Sequence, residues 1–256
     1  MKNFEMPERG EIHLFHVRKE GDRKFLSSLE KDRYDGYGSA ESARMFLKSR
    51  TALRKIAAAY TGKPPMTLEL ECTDEGKPYF QCTRGLEFNL SHSREDLKVA
   101  FSCEPVGFDM ENKARRADFH MLAKRYFHAD EQAFLETCEG GSARAFLEIW
   151  TAKEAMLKLL GKGLAAGLEK TRVMNDRAGE FGATPVHLYR LEWEDCLGTL
   201  ASLSEIRLVR ERTYSSCFCF ADSAAMRKLS RASASVGSIS KARWKAAIAS
   251  SRRSVR

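Results

Sequence analysis

Asp109 and Glu111 stand one residue apart in the run Pro105-Val106-Gly107-Phe108-Asp109-Met110-Glu111. Side chains alternate across a strand, so Val106, Phe108 and Met110 share one face and Gly107, Asp109 and Glu111 the other. The apolar face can pack while the two acids point together, out of the core. Two carboxylates on one face repel unless a cation lies between them, and hard oxygen ligands suit Mg²⁺. The plain alternative is a strand with one solvated face.

A second set of charges lies in FLEIWTAKEAMLKLLGKG. At about 100° per residue, Phe146, Ile149, Met156, Leu157 and Leu160 form an apolar stripe with Trp150 on its edge. Glu154 and Lys158 sit four apart on an adjacent face, which an ordinary Glu–Lys helix pair would explain. Lys153 falls near the middle of the stripe, where an ammonium is costly unless it meets an anion. That anion could be a phosphate or a carboxylate. The helix reads as the wall of a site that handles negative charge.

A third set is GKPYFQCTRGLEFNLSHS, residues 76–93. Gly76-Lys77-Pro78 is turn chemistry carrying a cation, and Asn89, Ser91, His92 and Ser93 cluster just before an expected strand. Such donors suit phosphate oxygens, although Ser and Asn often merely cap turns. No Walker loop, G-x-G-x-x-G turn or zinc-type cluster is present.

The elements that must position these groups follow from periodicity. Residues 41–60 carry Phe46, Leu53, Ile56, Ala57 and Tyr60 at helical spacing, stopped by Gly62 and Pro64. Strand patterns run over 12–17, 67–72, 86–90 and 97–103. The run 118–138 predicts a helix broken near His128-Ala129. Gly140-Gly141 interrupts, Ser142 could cap, and a helix over 143–160 ends at Gly161. Strand-like pieces follow at 185–193, 204–210 and 213–221. The pattern is α+β, with a lobe boundary near Glu104-Pro105: 1–104, 105–222 and a tail, 223–256.

The chain of 256 residues, 43% hydrophobic, is long enough for a sizeable core. Its net charge of +8 includes nine Lys or Arg after residue 222 and no acid there, which leaves about −1 for residues 1–222. Basicity is thus a tail property, and the body does not read as a nucleic-acid binder. The Ser-, Ala- and Arg-rich tail buries too little to offset its ordering entropy, so disorder is expected. Trp244 among Lys and Arg makes a membrane or nucleic-acid arm the sharper alternative. Seven cysteines without a C-x-x-C pair, and no apolar leader or spanning run, predict a soluble cytoplasmic protein with reduced thiols.

Taken in order, the motifs resemble those of the larger, Sfp-type 4′-phosphopantetheinyl transferases. The match is Gly76-Lys77-Pro78, then Phe88-Asn89-Leu90-Ser91-His92-Ser93, then Gly107-Phe108-Asp109-Met110-Glu111, then Trp150-x-x-Lys153-Glu154-x-x-x-Lys158, across residues 40–220. The resemblance implies two pseudo-symmetric α+β lobes with coenzyme A in the cleft between them. It implies transfer of the phosphopantetheine arm to a serine of an apo acyl or peptidyl carrier protein, releasing adenosine 3′,5′-bisphosphate. Asp109, Glu111 and Glu154 would hold Mg²⁺, with Glu154 the base for the serine, directly or through water. Lys158 and His92 would hold phosphate groups, Lys77, Pro78 and Ser91 would line the coenzyme A site, and Lys153 would carry charge there.

Arg44, Arg50 and Arg54 are candidates for the 3′-phosphate. Lys113, Arg115, Arg116, Lys124 and Arg125 could dock an acidic carrier. A monomer is expected, with no specific nucleic acid or membrane partner. The rival readings are a Mg²⁺-dependent phosphodiester hydrolase or nuclease, and a non-enzymatic binding protein acting through its basic tail.

Overall fold

The computed structural model describes residues 4–81, 83, 85–138, 142–163, 167–215 and 226–228. These form a mixed helix and sheet architecture that divides into two compact units: residues 1–104 with 207–228, and the remainder from 105 onward.

The first unit is built on a five-stranded sheet. It contains β1 (Glu11–Val17), β4 (Glu87–Ser93), β5 (Asp96–Ser102), β11 (Leu208–Tyr214) and β12 (Met226–Lys228), in the order β12-β11-β1-β5-β4. Only β1 and β11 pair in parallel; the other neighbours are antiparallel. A long helix, α2 (Ala40–Thr61), covers one face and matches the predicted 41–60. Ser39 caps its start, and Gly62 at φ 68° ends it in the left-handed region that glycine adopts without strain. Leu53, Ile56, Ala57 and Tyr60 pack there against Phe15, Phe88, Val99 and Phe101.

Two smaller features complete this unit. A hairpin joins β2 (Leu70–Cys72) to β3 (Pro78–Phe80). A short helix, α1 (Ser28–Asp35), buries no residue, so apolar periodicity gave no sign of it. Its sequence signal is the capping box Ser27-x-x-Glu30, in which each end satisfies the other's amide.

The second unit has its own antiparallel five-stranded sheet, β6-β10-β9-β8-β7. The strands are β6 (Val106–Asn112), β7 (Thr171–Val173), β8 (Ala178–Phe181), β9 (Thr184–Glu192) and β10 (Cys196–Ser202). Helix α5 (Ser142–Leu160) lies across the sheet, against β6 and β10. The predicted 118–138 helix is two helices, α3 (Phe119–Tyr126) and α4 (Ala129–Glu136), broken at Phe127-His128. Phe127, Phe134, Phe146, Ile149, Trp150, Met156 and Leu157 form the core of this unit.

Three expectations change. The lobe expected over 105–222 loses its last strand, because β11 pairs with β1 rather than with β9 or β10. Local pattern splits this region into strands at 204–210 and 213–221, whereas one strand, Leu208–Tyr214, runs across the expected break, and pattern does not select its partner. The tail expected as 223–256 begins in the fold, since Met226–Lys228 hydrogen-bonds to β11 as β12. Its remainder, 229–256, lies outside the described residues, as does the Gly140-Gly141 interruption. Ser142 opens α5 as its first helical residue.

Candidate active site

The three acids are assembled by one strand and one helix. On β6 the face carrying Gly107, Asp109 and Glu111 is the face that α5 covers. A Cβ on Gly107 would lie 1.9 Å from the Ala155 carbonyl oxygen and 2.6 Å from the Leu159 amide, so only glycine lets the helix backbone lie on the strand. The expectation that these acids point out of the core is corrected accordingly: Asp109 is 3% exposed and Glu111 half-buried. Phe108 and Met110, on the opposite face, are buried as well.

Helix α5 brings Glu154 and Lys158 to the same place. Lys158 Nζ donates to Asp109 Oδ1 at 2.7 Å. One ligand atom from each of Asp109, Glu111 and Glu154 lies within 4.8 Å of the others, the only such metal-capable group among the described residues. Arg115 donates to Glu111 and lays its guanidinium 5.4 Å from the centre of the Trp150 ring. Trp150 thus serves as a platform for the cation that faces Glu111.

The electrostatics follow from this crowding. Burial pushes the Glu154 carboxyl up to about 7, aided by the Asp109 charge and opposed by Lys158. Burial likewise raises Glu111, with Arg115 opposing and Asp109 adding. Three carboxylates held this closely resist full ionisation unless a cation joins them. An all-oxygen, hard donor set fits Mg²⁺.

Lys153 does not join this group. It is 0% exposed, and its ammonium donates to Glu131 Oε2 at 2.8 Å and to the Thr171 carbonyl. Its place on α5 turns it away from Glu154, so the anion it meets is a buried carboxylate and the coenzyme A role expected for it is withdrawn. Glu131 was not singled out from sequence; its signal is a second acid in the first turn of α4.

Another polar row was also missed. Thr199 of β10 pairs in register with Asp109 on one side and Arg190 of β9 on the other. Thr199 Oγ1 lies 2.9 Å from Thr151 Oγ1 on α5 and accepts from Arg190 Nη1 at 2.9 Å. Nothing in the local pattern of β9 or β10 marks these residues, because strand register alone brings them beside Asp109.

The remaining candidates lie in the first unit. Gly76, at φ 85°, forms the turn between β2 and β3, and burial pushes the Lys77 ammonium down while Glu87 opposes. Pro78 opens β3. Asn89, Ser91 and His92 are part of β4 itself rather than of a loop before it. Alternation therefore splits them, with buried Ser91 opposite Lys98 and exposed His92 on the side of Phe88 and Leu90. Lys98, 2% exposed, lies between the apolar residues Leu97 and Val99 of β5, a local pattern that does not mark it as a site residue.

The three arginines are engaged with acids of their own unit. Arg44 donates to Glu20 at 2.8 Å, and Arg50 and Arg54 lie 3.4 and 2.8 Å from Glu30. Of the five cations after the acids, Arg115 faces Glu111 and Lys113 faces Glu192 at 2.8 Å. Arg116, Lys124 and Arg125 are exposed.

Known proteins are similar to this chain over the segment that carries the three acids. Residues 105–221 match the family model described as the 4′-phosphopantetheinyl transferase superfamily. A putative 4′-phosphopantetheinyl transferase of Synechocystis sp. is 34% identical over 154 residues, 59% of this chain and 63% of that relative. The chain thus spans under two thirds of that protein's length. The 4′-phosphopantetheinyl transferase gsp of Aneurinibacillus migulanus is 26% identical over 231 residues, 83% of this chain and 96% of the relative. The 4′-phosphopantetheinyl transferase Sfp of Bacillus subtilis is 25% identical over 157 residues, 61% of this chain and 69% of the relative. Asp109, Glu111 and Glu154 meet at one point inside the matched region, and residues 105–221 are thus similar to the 4′-phosphopantetheinyl transferase superfamily in sequence.

Proposed function

We propose that the chain transfers the 4′-phosphopantetheine arm of coenzyme A to a serine hydroxyl of an apo acyl or peptidyl carrier protein, with Mg²⁺. The observation that carries this reading is the convergence of Asp109, Glu111 and Glu154 within 4.8 Å, with Lys158 bound to Asp109. The reaction breaks the pyrophosphate P–O bond of coenzyme A, forms a P–O bond to the serine and leaves adenosine 3′,5′-bisphosphate. Phosphoryl transfer asks chiefly for positioning and charge neutralisation. Bound Mg²⁺ would supply Lewis-acid stabilisation of the phosphate charge.

The chain's own residues supply the rest. Asp109, Glu111 and Glu154 would hold the metal, and Glu154 would accept the serine proton, directly or through water. Lys158, half-exposed beside Asp109, would turn to a phosphate oxygen. Lys77, Pro78, Ser91 and His92 would contact coenzyme A, with Arg44 and Arg50 the candidates for its 3′-phosphate.

An acidic carrier would meet Arg116, Lys124 and Arg125, the cations of this region left exposed. Neutralising these three should raise the carrier KM; an unchanged KM removes the docking surface. Monomeric state and cytoplasmic residence are part of the proposal. No helix among the described residues is long and apolar enough to cross a membrane, and cysteines 72, 103, 138 and 196 form no disulfide.

The test is to incubate the protein with coenzyme A, Mg²⁺ and a panel of apo carriers and weigh the carriers. A phosphopantetheine mass gain is expected. No gain on any carrier, together with hydrolysis of phosphodiesters, would replace the transferase with a hydrolase.

A further inference from the structure

Lys153 and Glu131 are both 0% exposed, and their pair ties three elements together. Glu131 Oε2 accepts from Lys153 Nζ at 2.8 Å and from the His128 amide at 2.8 Å, at the start of α4. Glu131 Oε1 accepts from the Val173 amide of β7 at 2.8 Å. The ammonium also donates to the Thr171 carbonyl and lies 5.4 Å from the centre of the Phe127 ring. A buried ion pair is weak evidence for stability, because desolvation consumes much of what the attraction returns. A direction, however, it does impose.

The opposite side of α5 is pinned as well, by Thr151 on Thr199 and by Arg190, which donates to the Glu148 carbonyl. At about 100° per residue, Lys153 and Thr151 point nearly opposite ways, and Glu154 lies on the arc between them. A rotation of about 20° would carry a carboxylate about 6 Å from the helix axis by roughly 2 Å. That is a large fraction of the 4.8 Å within which the three acids meet.

We infer that the Lys153–Glu131 pair is a positioning device: it sets the rotation of α5 that delivers Glu154 to Asp109 and Glu111. Its consequence for metal binding rests on the proposed function, whereas the geometric claim does not. Neither residue touches substrate in this account.

The double substitution Lys153→Met with Glu131→Leu in the full chain removes both charges together and refills the core. Mn²⁺ is the probe, its dissociation constant read by electron paramagnetic resonance alongside the melting temperature. The expected result is a folded protein with a lowered melting temperature, since the His128 and Val173 amides lose their acceptor, and with Mn²⁺ affinity lowered about tenfold or more, as for lost outer-layer partners of a metal site. A folded double variant binding Mn²⁺ as wild type does would overturn the inference.

A crystal structure of the metal-free double variant reads the same point without a metal. Displacement of the Glu154 carboxylate from Asp109 and Glu111 is expected, and an unchanged cluster overturns the proposal. Wild-type protein that binds no Mn²⁺ would sink the metal reading alone, and the crystallographic comparison would still decide. If the double variant does not fold, Glu131→Gln, which keeps the volume and one acceptor, decides by the same two readouts.

Discussion

Lys158 Nζ sits 2.7 Å from Asp109 Oδ1, so the last turn of α5 is bonded to the middle of β6. This single contact joins two motifs forty-nine residues apart in the chain. It also places a cation within the cluster where Glu111 and Glu154 converge.

Removing the acids should stop transfer without unfolding the chain. Asp109→Ala and Glu154→Ala are each expected to lower kcat/KM by about 10²–10³-fold or more, the usual range for a lost electrostatic stabiliser. Lys158 is half-exposed, so water can solvate the ammonium that Asp109→Ala leaves behind. Circular dichroism should therefore match wild type. An active Asp109→Ala protein would refute the metal assignment.

Divalent cation should stabilise the fold. A ligand that binds only the folded chain adds RT ln(1 + [L]/Kd), about 2.7 kcal/mol at a hundred times Kd. The melting temperature should rise with Mg²⁺ and saturate, and Glu154→Gln should flatten that rise. A wild-type melting temperature indifferent to Mg²⁺ would count against the site.

Gly107→Ala tests the strand–helix approach. The added methyl meets the Ala155 carbonyl at 1.9 Å, so α5 must move off β6. A loss of about 1–3 kcal/mol is expected from such overpacking, read by denaturant unfolding. Activity should fall further than stability, because Glu154 and Lys158 move with the helix. Wild-type stability and activity would show that the helix can yield at no cost.

His13 should make part of the stability depend on pH. Burial, aided by Arg212 and Arg210, pushes its imidazole down to about 4, although Glu11 at 3.2 Å opposes. Its Nδ1 shares a hydrogen bond of 2.6 Å with the Tyr60 hydroxyl. Between pH 6.5 and about 4 the unfolded chain binds a proton that the folded chain does not. Stability therefore falls on acidification through that window, by on the order of 3 kcal/mol from this group, and the loss is complete below it. His13→Gln should lack that component. Since buried carboxyls such as Glu154 titrate in the opposite sense nearby, the comparison is the difference in unfolding free energy between pH 7 and 4.5 for both proteins. Equal differences would rule the effect out.

Much of this was legible in residues alone. The helical stripe of 41–60, the alternation of 97–103 and the break before Ala129 reflect local periodicities that tertiary packing did not override. Asp109 and Glu111 could be picked out because two acids on one face of a buried-looking strand are costly without a purpose, whereas Glu154, which an ordinary helix pair with Lys158 explains, was marked only by the resemblance of its motif. Lys153 was picked out for the same cost, and that cost did not reveal which anion it meets.

Partner choice was decided only in three dimensions. The pairing of β11 with β1, the register that sets Thr199 between Asp109 and Arg190, and the Glu131 carboxylate that holds Lys153 all join residues distant in sequence. Chemistry of each side chain, and the face of the element it occupies, are properties of the local chain. Which faces meet depends on how the elements pack, and there the carboxylate that holds Lys153 and the ones that surround Glu154 were told apart.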